Sequence, residues 1–596
     1  MMVAWWSLFL YGLQVAAPAL AIPAFPITPD LAGGLESVTN TQTSLPSASA
    51  VSSPYNQDAL DKLWAEVEKD IPVETPSISS VVPVNNSFAV PKTPTLPRSL
   101  QDHATSGRKF PKGFKFGVAT ADQQYEGAVK ADGRGPSHWD YLCHRLPQQC
   151  NNYTSDITDL GRYYYKQDIA RIKAMGVNTV SLTLSWSRIK PFGTADSPVS
   201  KEGLQFYDDF INELIDNGIE PVVTLFHWST PLNLVFEYGA FLNGSSVEDF
   251  ASYAKLVFEH FGDRVTTFLT FNEPRVYCSE YTGEPFNDYW HFGGPNINAT
   301  TAPYPCTYNI LKAHGRAVQE YRALVNSGKI KKGEVAIKND DSYPVPVNPD
   351  SEADVEAAKR HFDFYIGIFS QPIYGDGKFP DTVRNTISTE FLPYLTDDEK
   401  AMIKGSGDFF AIDAYRTNLA RAAPNGIQAC VANISDPNWP VCQDNSPEGQ
   451  YQTMDGFAFG PPADPNAAWL YDTSFKLRYQ LKTLKEAFNY DKIYISEFGF
   501  ARPYEYLYPY GFDVLYDTDR AIYYQDYMAE ALDAIHDDGI PLAGVFAWSF
   551  VDNFEWASGL EQRFGMQFVN YTTLEREYKL SFLLYRDFIE NHSCED

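Results

Sequence analysis

The sequence predicts an α/β protein whose main domain, residues 106–596, is a (β/α)8 TIM barrel with long loops. From Phe110 onward, short runs rich in β-branched and aromatic residues alternate with longer stretches of helical periodicity. The alternation gives eight strand–helix units, which is the number that closes such a barrel. A doubly wound sheet is the alternative. It is disfavoured because no glycine-rich phosphate-binding turn follows the first predicted strand.

The predicted strands are short apolar runs, each separated from the next by a helical pattern or a turn. In chain order they cover residues 114–119, 179–184, 220–226, 266–271, 334–338, 408–412, 492–496 and 542–547. Helices are predicted between them, for instance over 165–175, 204–217 and 246–261. Helices in these places would cover the outside of the barrel and close a large core.

The first 105 residues differ from the barrel in composition. An apolar run over 3–13 and the small-residue pattern Ala19-Leu20-Ala21 predict a signal peptide over 1–21. A membrane anchor is the alternative, but the run is shorter than a bilayer span requires. Residues 22–105 are rich in Pro, Ser, Thr and Ala, which predicts a disordered leader or linker. Within it, 58–71 has the pattern of one short amphipathic helix.

Charge and cysteine usage predict a secreted protein that does not bind nucleic acid and has no membrane span in its mature chain. The formal net charge is −29 and the pI is near 4.7, so the chain repels phosphate backbones. Seven cysteines suit an oxidising compartment. Neighbours in sequence form three candidate disulfides, Cys143–Cys150, Cys278–Cys306 and Cys430–Cys442, and leave Cys594 over. Glycosylation sequons occur at Asn85, Asn152, Asn243, Asn298, Asn433, Asn570 and Asn591.

Two glutamates stand where barrel enzymes place their chemistry, at the C-terminal ends of strands. The fourth predicted strand runs into Asn272-Glu273-Pro274, and the seventh runs into Ser496-Glu497-Phe498. Both carboxyls would face the mouth of the barrel, and a retaining glycosidase needs such a pair about 5 Å apart. A single glutamate after a strand is usually a solvated loop residue. Two of them at matching strand ends favour catalysis.

Eight sequence blocks, in order along the chain, make the region from Phe110 to about Ile589 similar to glycoside hydrolase family 1, the β-glucosidase family. The blocks are GVATADQQYEG (117–127), SWSRI (185–189), LFHW (225–228), FGDR (261–264), NEP (272–274), YISEFG (494–499), WSFVDNFEW (548–556) and RFG (563–565). The resemblance implies a retaining exo-β-glycosidase, foremost a β-glucosidase that releases terminal β-D-glucosyl residues by double displacement. Glu273 would be the acid/base and Glu497 the nucleophile.

The resemblance also implies the residues that support these two. Tyr415 would donate a hydrogen bond to the nucleophile. The substrate-binding residues would be Gln124, His227, Asn272, Trp548, Glu555 and Trp556. Among them, Asn272 would hold the sugar 2-hydroxyl, Glu555 would accept from the 4- and 6-hydroxyls, and Trp548 would stack on the ring. Ordinary core packing is the alternative for His227 and Trp548.

One departure from the family pattern concerns the charge beside the nucleophile. The family carries an arginine four residues before the serine that opens the SWSRI block, and this chain has Ser181 there. A cation near Glu497 is therefore missing from its usual place. Our hypothesis is that Arg416, next to Tyr415, supplies it from another strand. The block around it, Asp413-Ala-Tyr-Arg416, also differs from the Asn-His-Tyr or Asn-Tyr-Tyr usual in the family.

Two other functions stay open at this point. A catalytically inactive sugar-binding barrel is supported by the missing arginine, but the retention of both glutamates argues against it. A transglycosidase would use the same residues, so the sequence does not separate it from a hydrolase. The identity of the sugar, the aglycone and the oligomeric state also stay open. We expect a small β-glucoside or oligosaccharide as substrate, no cofactor, and no metal, because no metal-ligand spacing occurs.

Overall fold

The computed structural model describes residues 54–68, 70–84, 89–281, 298, 300–340, 343–508 and 510–594. The predicted signal peptide, the first part of the predicted leader and the sequon at Asn85 lie outside these residues. Among the described residues, no helix combines the length and the apolar character needed to cross a membrane.

The described residues form a closed barrel of parallel strands with two small sheets beside it. The strands are β1 (Lys115–Ala119), β2 (Thr179–Thr183), β3 (Glu220–Phe226), β4 (Thr267–Asn272), β5 (Glu334–Asn339), β6 (Tyr343–Pro346), β7 (Phe410–Asp413), β8 (Thr417–Ala420), β9 (Ile493–Phe498), β10 (Leu542–Ala547), β11 (Gln567–Val569) and β12 (Arg576–Tyr578). The barrel order is β1-β10-β9-β7-β5-β4-β3-β2. The predicted (β/α)8 fold is confirmed, and each predicted strand coincides with one of these eight.

Barrel strands are buried on both sides, because side chains fill the interior and helices cover the outside. Every residue of β2 and of β4 is buried. This double burial explains why these strands appear in the sequence as continuous apolar runs rather than as alternating ones. The parallel pair β6–β8 and the antiparallel pair β11–β12 were not predicted. Each of these strands is only three or four residues long, too short for a periodic pattern.

Helices lie between the strands, as predicted. The α-helices are Gln57–Val67, Asp122–Tyr125, His138–Arg145, Gly161–Ala174, Trp186–Ile189, Lys201–Asp216, Leu232–Tyr238, Ser245–Phe261, Pro274–Tyr281, Pro303–Asn326, Glu352–Phe362, Ile368–Tyr374, Asp381–Thr386, Asp397–Ile403, Ile427–Val431, Pro447–Tyr451, Leu477–Phe488, Phe512–Leu515, Thr518–His536 and Leu580–His592. Lys201–Asp216 is typical: Ser200 caps its N-terminus by accepting from the Gly203 N–H. Its buried residues Phe206, Phe210 and Leu214 recur at helical spacing.

The second half of the predicted leader packs against the barrel. Here α1 (Gln57–Val67) places Leu60, Leu63, Trp64 and Val67 in the main core. Their spacing gives the helix one apolar face, which is the physical reason that this part of a Pro- and Ser-rich segment is ordered. We call residues 54–84, apart from residue 69, the N-terminal strap.

Hydrogen bonds extend the docking of the strap beyond its helix. Trp64 Nε1 donates to the Arg134 carbonyl at 3.0 Å, and the Glu74 N–H donates to Asp156 Oδ2 at 2.8 Å. Further along, the Val82 N–H donates to the Tyr163 carbonyl at 2.8 Å. The boundary near residue 105 therefore marks a change of composition, while tertiary packing begins within the predicted leader.

All three candidate disulfides are present, which confirms the pairings Cys143–Cys150, Cys278–Cys306 and Cys430–Cys442. Their Cα–Cα distances of 5.3, 5.7 and 5.7 Å lie in the ordinary range for disulfides. Cys594 is an exposed free thiol.

Candidate active site

A cavity of about 410 Å³ opens where the barrel strands end, and the residues predicted from the sequence come together in it. Eight of the nine predicted site residues line it: Gln124, His227, Glu273, Tyr415, Glu497, Trp548, Glu555 and Trp556. The ninth, Asn272, contacts this wall, with Nδ2 at 3.1 Å from His227 Nε2. The cavity has the size and the mixed polar and aromatic lining of a small-molecule site.

Glu273 follows β4 directly and is 9% exposed. Its φ of 40° lies in the left-handed region, so the chain turns sharply as it leaves the strand. The Glu273 N–H donates to the Lys338 carbonyl of β5 at 3.1 Å. The helix Pro274–Tyr281 starts at the next residue. Glu273 is therefore held by the last inter-strand contact of the barrel, with its carboxyl at the cavity wall.

Glu497 lies near the end of β9 and is 4% exposed. Tyr415 donates its hydroxyl to Glu497 Oε2 at 2.9 Å, which is the contact expected from the sequence. Lys338 Nζ donates to the other oxygen, Oε1. Each carboxylate oxygen thus has one donor, and the two donors hold the carboxylate in a fixed orientation.

Lys338, and not Arg416, is the cation bonded to Glu497, which corrects our hypothesis. Arg416 donates to the Trp469 carbonyl, and its guanidinium carbon lies 5.0 Å from the Trp469 ring centroid. The Lys338 side chain is 1% exposed, and Nζ is also 3.5 Å from Asp413 Oδ1. Burial lowers the pKa of Lys338, but the carboxylates of Asp413 and Glu497 outweigh it, so the pKa is raised and the lysine is charged.

Asp413, unlike Lys338, is held towards its uncharged form. Its burial, and then the charge of Glu497, raise the pKa of Asp413 well above the usual value for a carboxyl group, although Lys338 acts against this. Two acidic groups and one cation therefore share a buried space. A low dielectric disfavours a second negative charge beside Glu497.

Two polar side chains with free acceptor atoms lie at this cavity, Gln124 in its lining and Asn272 behind His227. Gln124 Nε2 donates to Glu555 Oε2 at 3.0 Å. Gln124 Oε1 and Asn272 Oδ1 are buried and have no hydrogen-bond partner among the described residues. A buried acceptor without a donor is costly, and sugar hydroxyls could supply the donors.

Burial and charge set the protonation of two further groups at this wall. Burial, and then the charge of Glu497, raise the pKa of Glu555 to about 8. Burial, and then Lys338, lower the pKa of His227 well below its usual value. The imidazole of His227 is therefore neutral, and Glu555 carries a proton at mildly acidic pH.

An aromatic cluster forms the apolar wall. The ring centroid of Trp556 lies 4.9 Å from that of Trp228, 5.6 Å from that of His227 and 4.9 Å from that of Trp139. Trp548 is 5.9 Å from His227 by the same measure. Both Trp548 and Trp556 line the cavity, so indole faces are available to the C–H groups of a sugar ring.

Sequence reasoning missed several residues of the site. They are Trp228, Arg275, Lys338, Asp413, Asn466, Trp469, Gln562 and Phe564. A signal for Lys338 was present, since the predicted fifth strand ended on this lysine. The rule that barrel enzymes place their chemistry at strand ends applies to this lysine as well as to the two glutamates. In the part of the chain that the structure describes, no three or more His, Cys, Asp or Glu residues are grouped to hold a metal ion.

Comparisons with known proteins agree with this geometry. The family described as "Glycosyl hydrolase family 1" matches residues 106–594. "Beta-glucosidase 12" of Oryza sativa subsp. indica is 34% identical over 491 residues, which cover 80% of this chain and 92% of that protein. "Furostanol glycoside 26-O-beta-glucosidase" of Hellenia speciosa is 34% identical over 559 residues, covering 90% and 94%. The crystal structure of a GH1 β-glucosidase from the fungus Humicola insolens in complex with glucose superposes with a TM-score of 0.76 at 32% identity. That match covers 82% of this chain and 100% of the other.

Proposed function

The chain belongs to glycosyl hydrolase family 1 and is a glycoside hydrolase, and from this premise we propose how its site acts. It removes terminal β-D-glucosyl residues from the non-reducing end of a small glucoside or oligosaccharide, with retention of configuration. The observation that carries this proposal is the placement of Glu273 and Glu497 in one cavity, at the ends of β4 and β9. Lys338 connects them, through its carbonyl to Glu273 and through its ammonium to Glu497.

In the first step, a carboxylate oxygen of Glu497 attacks the anomeric carbon. The bond from that carbon to the leaving oxygen breaks, and Glu273 gives its proton to that oxygen, so the aglycone leaves as an alcohol. The product is a glucosyl ester of Glu497. Tyr415 and Lys338 support this step because they hold the attacking carboxylate ionised and oriented.

In the second step, Glu273 has become a carboxylate and acts as the base. It takes a proton from water, the water oxygen bonds to the anomeric carbon, and the ester bond to Glu497 breaks. Two inversions give net retention, and both carboxyl groups return to their starting states.

The sugar is held by the residues with open bonding capacity. Gln124, His227 and Trp556 bond to hydroxyl groups, Asn272 to the 2-hydroxyl and Glu555 to the 4- and 6-hydroxyls, while Trp548 supports the apolar face. The buried acceptors Gln124 Oε1 and Asn272 Oδ1 support this assignment. A protonated Glu555 can both donate to a hydroxyl and accept from one.

The assignment of roles is tested with Glu273→Gln, Glu497→Gln and the solvent-exposed control Glu390→Gln, assayed on a panel of aryl β-D-glycosides. We expect both cavity variants to lose at least about 10³-fold in kcat, and the control to match the wild type. Azide should restore turnover, giving an α-glucosyl azide with Glu497→Gln and a β-glucosyl azide with Glu273→Gln. A folded wild type that binds glucose and cleaves none of the panel would instead support an inactive sugar-binding barrel.

We also infer that the protein is exported and N-glycosylated. Three disulfides support an oxidising compartment. Asn152, Asn243, Asn298, Asn433 and Asn591 are exposed and Asn570 is half-buried. In four sequons the asparagine Oδ1 accepts from the N–H of the Ser or Thr two residues on, at 2.9–3.1 Å. In these short turns the Oδ1 atom, not the Nδ2 amide nitrogen that would carry a glycan, makes the hydrogen bond.

Expression in a eukaryotic host tests this inference. We expect the protein in the medium, with a mass that falls on treatment with a peptide N-glycosidase. An Asn243→Gln variant should lose the mass of one glycan, whereas Asn217→Gln, which lies outside any sequon, should not. Retention in the cell with no change of mass on treatment contradicts the inference.

A further inference from the structure

A buried cluster of charged side chains lies inside the barrel beside Glu497. Lys338 Nζ donates to Glu497 Oε1 and lies 3.5 Å from Asp413 Oδ1. The side chains of Lys338, Asp413 and Glu497 are 1%, 0% and 5% exposed. A low dielectric strengthens the interactions between such charges and penalises any charge that lacks a counter-ion. The reaction removes the charge of Glu497 for a time, so Lys338 then needs another counter-ion.

Neighbouring strands hold this cluster, so its geometry does not depend on loops. Lys338 on β5 is in register with Ala411 on β7, and Asp413 on β7 is in register with Glu497 on β9. Ser496 Oγ donates to Asp413 Oδ1 at 2.7 Å. Asp413 Oδ2 is buried and has no hydrogen-bond partner among the described residues. Asp413 Oδ2 can thus still accept a hydrogen bond.

The place where the family carries an arginine is occupied here by an uncharged residue. Ser181 lies on β2, is buried, and lines a small cavity in the barrel interior together with Ser496. The cation enters from β5 instead. An aspartate stands at position 413, where the family has asparagine. The three differences belong together, because a buried lysine needs a carboxylate partner whenever Glu497 is not charged.

We propose that Lys338 is the positioning residue that keeps Glu497 ionised and oriented, and that Asp413 balances Lys338 while Glu497 is esterified. The inference rests on the proposed function, since Glu497 loses its charge only if a glycosyl ester forms. Ser181, Lys338 and Asp413 together replace the single arginine of the family pattern.

The two steps should depend on this cluster in opposite ways. When Glu497 bonds to the anomeric carbon, it becomes a neutral ester. Asp413 is then the remaining counter-ion of Lys338. When the ester bond breaks, its electron pair returns to Glu497, and Lys338 stabilises the carboxylate that forms. Loss of the Asp413 carboxylate should therefore slow the first step, and loss of the Lys338 charge should slow the second.

The other charged groups near Lys338 do not replace Asp413. Glu273 contributes a weaker attraction to Lys338 than Asp413 or Glu497 does. The neighbouring His227 is neutral, since burial and then Lys338 lower its pKa. Asp413 is accordingly the counter-ion available to Lys338 while Glu497 is an ester.

The test uses 2,4-dinitrophenyl 2-deoxy-2-fluoro-β-D-glucopyranoside with the full chain. The rate of inactivation by this probe reports the first step, and the rate of reactivation after its removal reports the second. The variants are Asp413→Asn, Lys338→Met and Lys338→Arg. The control is Lys115→Met, which removes another barrel lysine, paired with Glu220 on β3. Thermal unfolding of each variant shows whether it is folded.

We expect Asp413→Asn to be inactivated roughly tenfold more slowly and to reactivate no more slowly than the wild type. Lys338→Met should reactivate roughly tenfold more slowly, and the acidic limb of its kcat/KM profile should move to higher pH. In Lys338→Arg the acidic limb of the kcat/KM profile should stay at the wild-type pH. The control Lys115→Met should change neither the inactivation rate nor the reactivation rate by more than about twofold.

Three results overturn the inference. Unchanged rates in both Asp413→Asn and Lys338→Met would show that the cluster does not act on Glu497. An equal loss in both steps for a folded Asp413→Asn would show that Asp413 is structural. If Lys338→Met does not fold, the ratio of the two rates in Asp413→Asn decides alone. A wild type that the probe never labels at Glu497 would contradict the proposed function itself, and the inference with it.

Discussion

At the scale of single residues, Glu555 shows how the cavity sets the charge of its own side chains. Its burial and the nearby Glu497 raise the pKa to about 8, and Gln124 lowers it only in part. A carboxyl whose pKa is raised in the folded state stabilises the fold below its unfolded pKa. That contribution is lost as the pH rises through the folded value. For Glu555 the loss falls between about pH 4.5 and pH 8.

A Glu555→Gln variant should therefore gain stability relative to the wild type as the pH rises. The amide mimics the protonated acid, so we expect similar unfolding midpoints near pH 4.5. At pH 9 the variant should have the advantage, on the order of 1 kcal/mol after allowance for water around a half-buried side chain. Thermal unfolding at the two pH values measures it. The unfolding midpoint of the exposed control Glu575→Gln should change with pH as that of the wild type does. The same pH dependence in Glu555→Gln would contradict the expectation.

Residues carried by a motif could be named from the sequence, and residues that act through space could not. Glu273 and Glu497 each stand at the end of a predicted strand within a recognisable block, and Tyr415 follows the sixth predicted strand. Lys338 also ends a strand, but its meaning depends on Asp413, 75 positions further on in the printed numbering. Only the closed barrel brings the two together, because β5 and β7 are adjacent in it.

At the scale of elements, the N-terminal strap is held by a histidine that can donate twice. His144 lies on the helix His138–Arg145, and its side chain is fully buried. Its Nε2 is 3.0 Å from Asp156 Oδ1 and its Nδ1 is 3.2 Å from the Ile71 carbonyl. Burial lowers the pKa of His144, but the hydrogen bond and charge of Asp156 outweigh it, so the pKa is raised. The protonated ring bonds both partners.

We predict that the strap loosens as the pH rises. A raised histidine pKa gives stability that is present below about 6.5 and is lost above the folded value. Amide exchange over 70–84, corrected for the intrinsic pH effect, should be faster at pH 8 than at pH 5.5, by roughly a factor of five to ten. In His144→Gln this difference should disappear.

The matched control for this prediction is His260→Gln, which removes a histidine paired with Asp208 at 2.8 Å near the surface. It should leave the pH dependence of the strap as in the wild type. Exchange over 70–84 that is the same at both pH values in the wild type would rule out a role for His144 protonation.

At the scale of the whole molecule, the regular part of the fold followed from periodicity and the strap did not. Eight doubly buried strands and their helices repeat a pattern that a single sequence displays. The strap has an average composition typical of disorder, and one helical face with Leu60, Leu63, Trp64 and Val67 reverses that expectation locally. The pair β6–β8 follows β5 and β7, which are neighbours in the barrel, whereas β11–β12 is a local hairpin of very short strands.

The bond between the Glu273 amide and the Lys338 carbonyl bears on how such a protein can change over generations. Lys338 also donates to Glu497, so a single residue of β5 contacts both glutamates and helps to set the spacing of their carboxyl groups. Their separation decides whether a glycosidase retains or inverts configuration. Insertions in the long segments around the mouth of the barrel, such as 421–475, would leave the contacts of Lys338 with both glutamates unchanged. The spacing on which the stereochemical outcome depends is thus set within the barrel, while the segment 421–475 contributes Asn466 and Trp469 to the cavity wall.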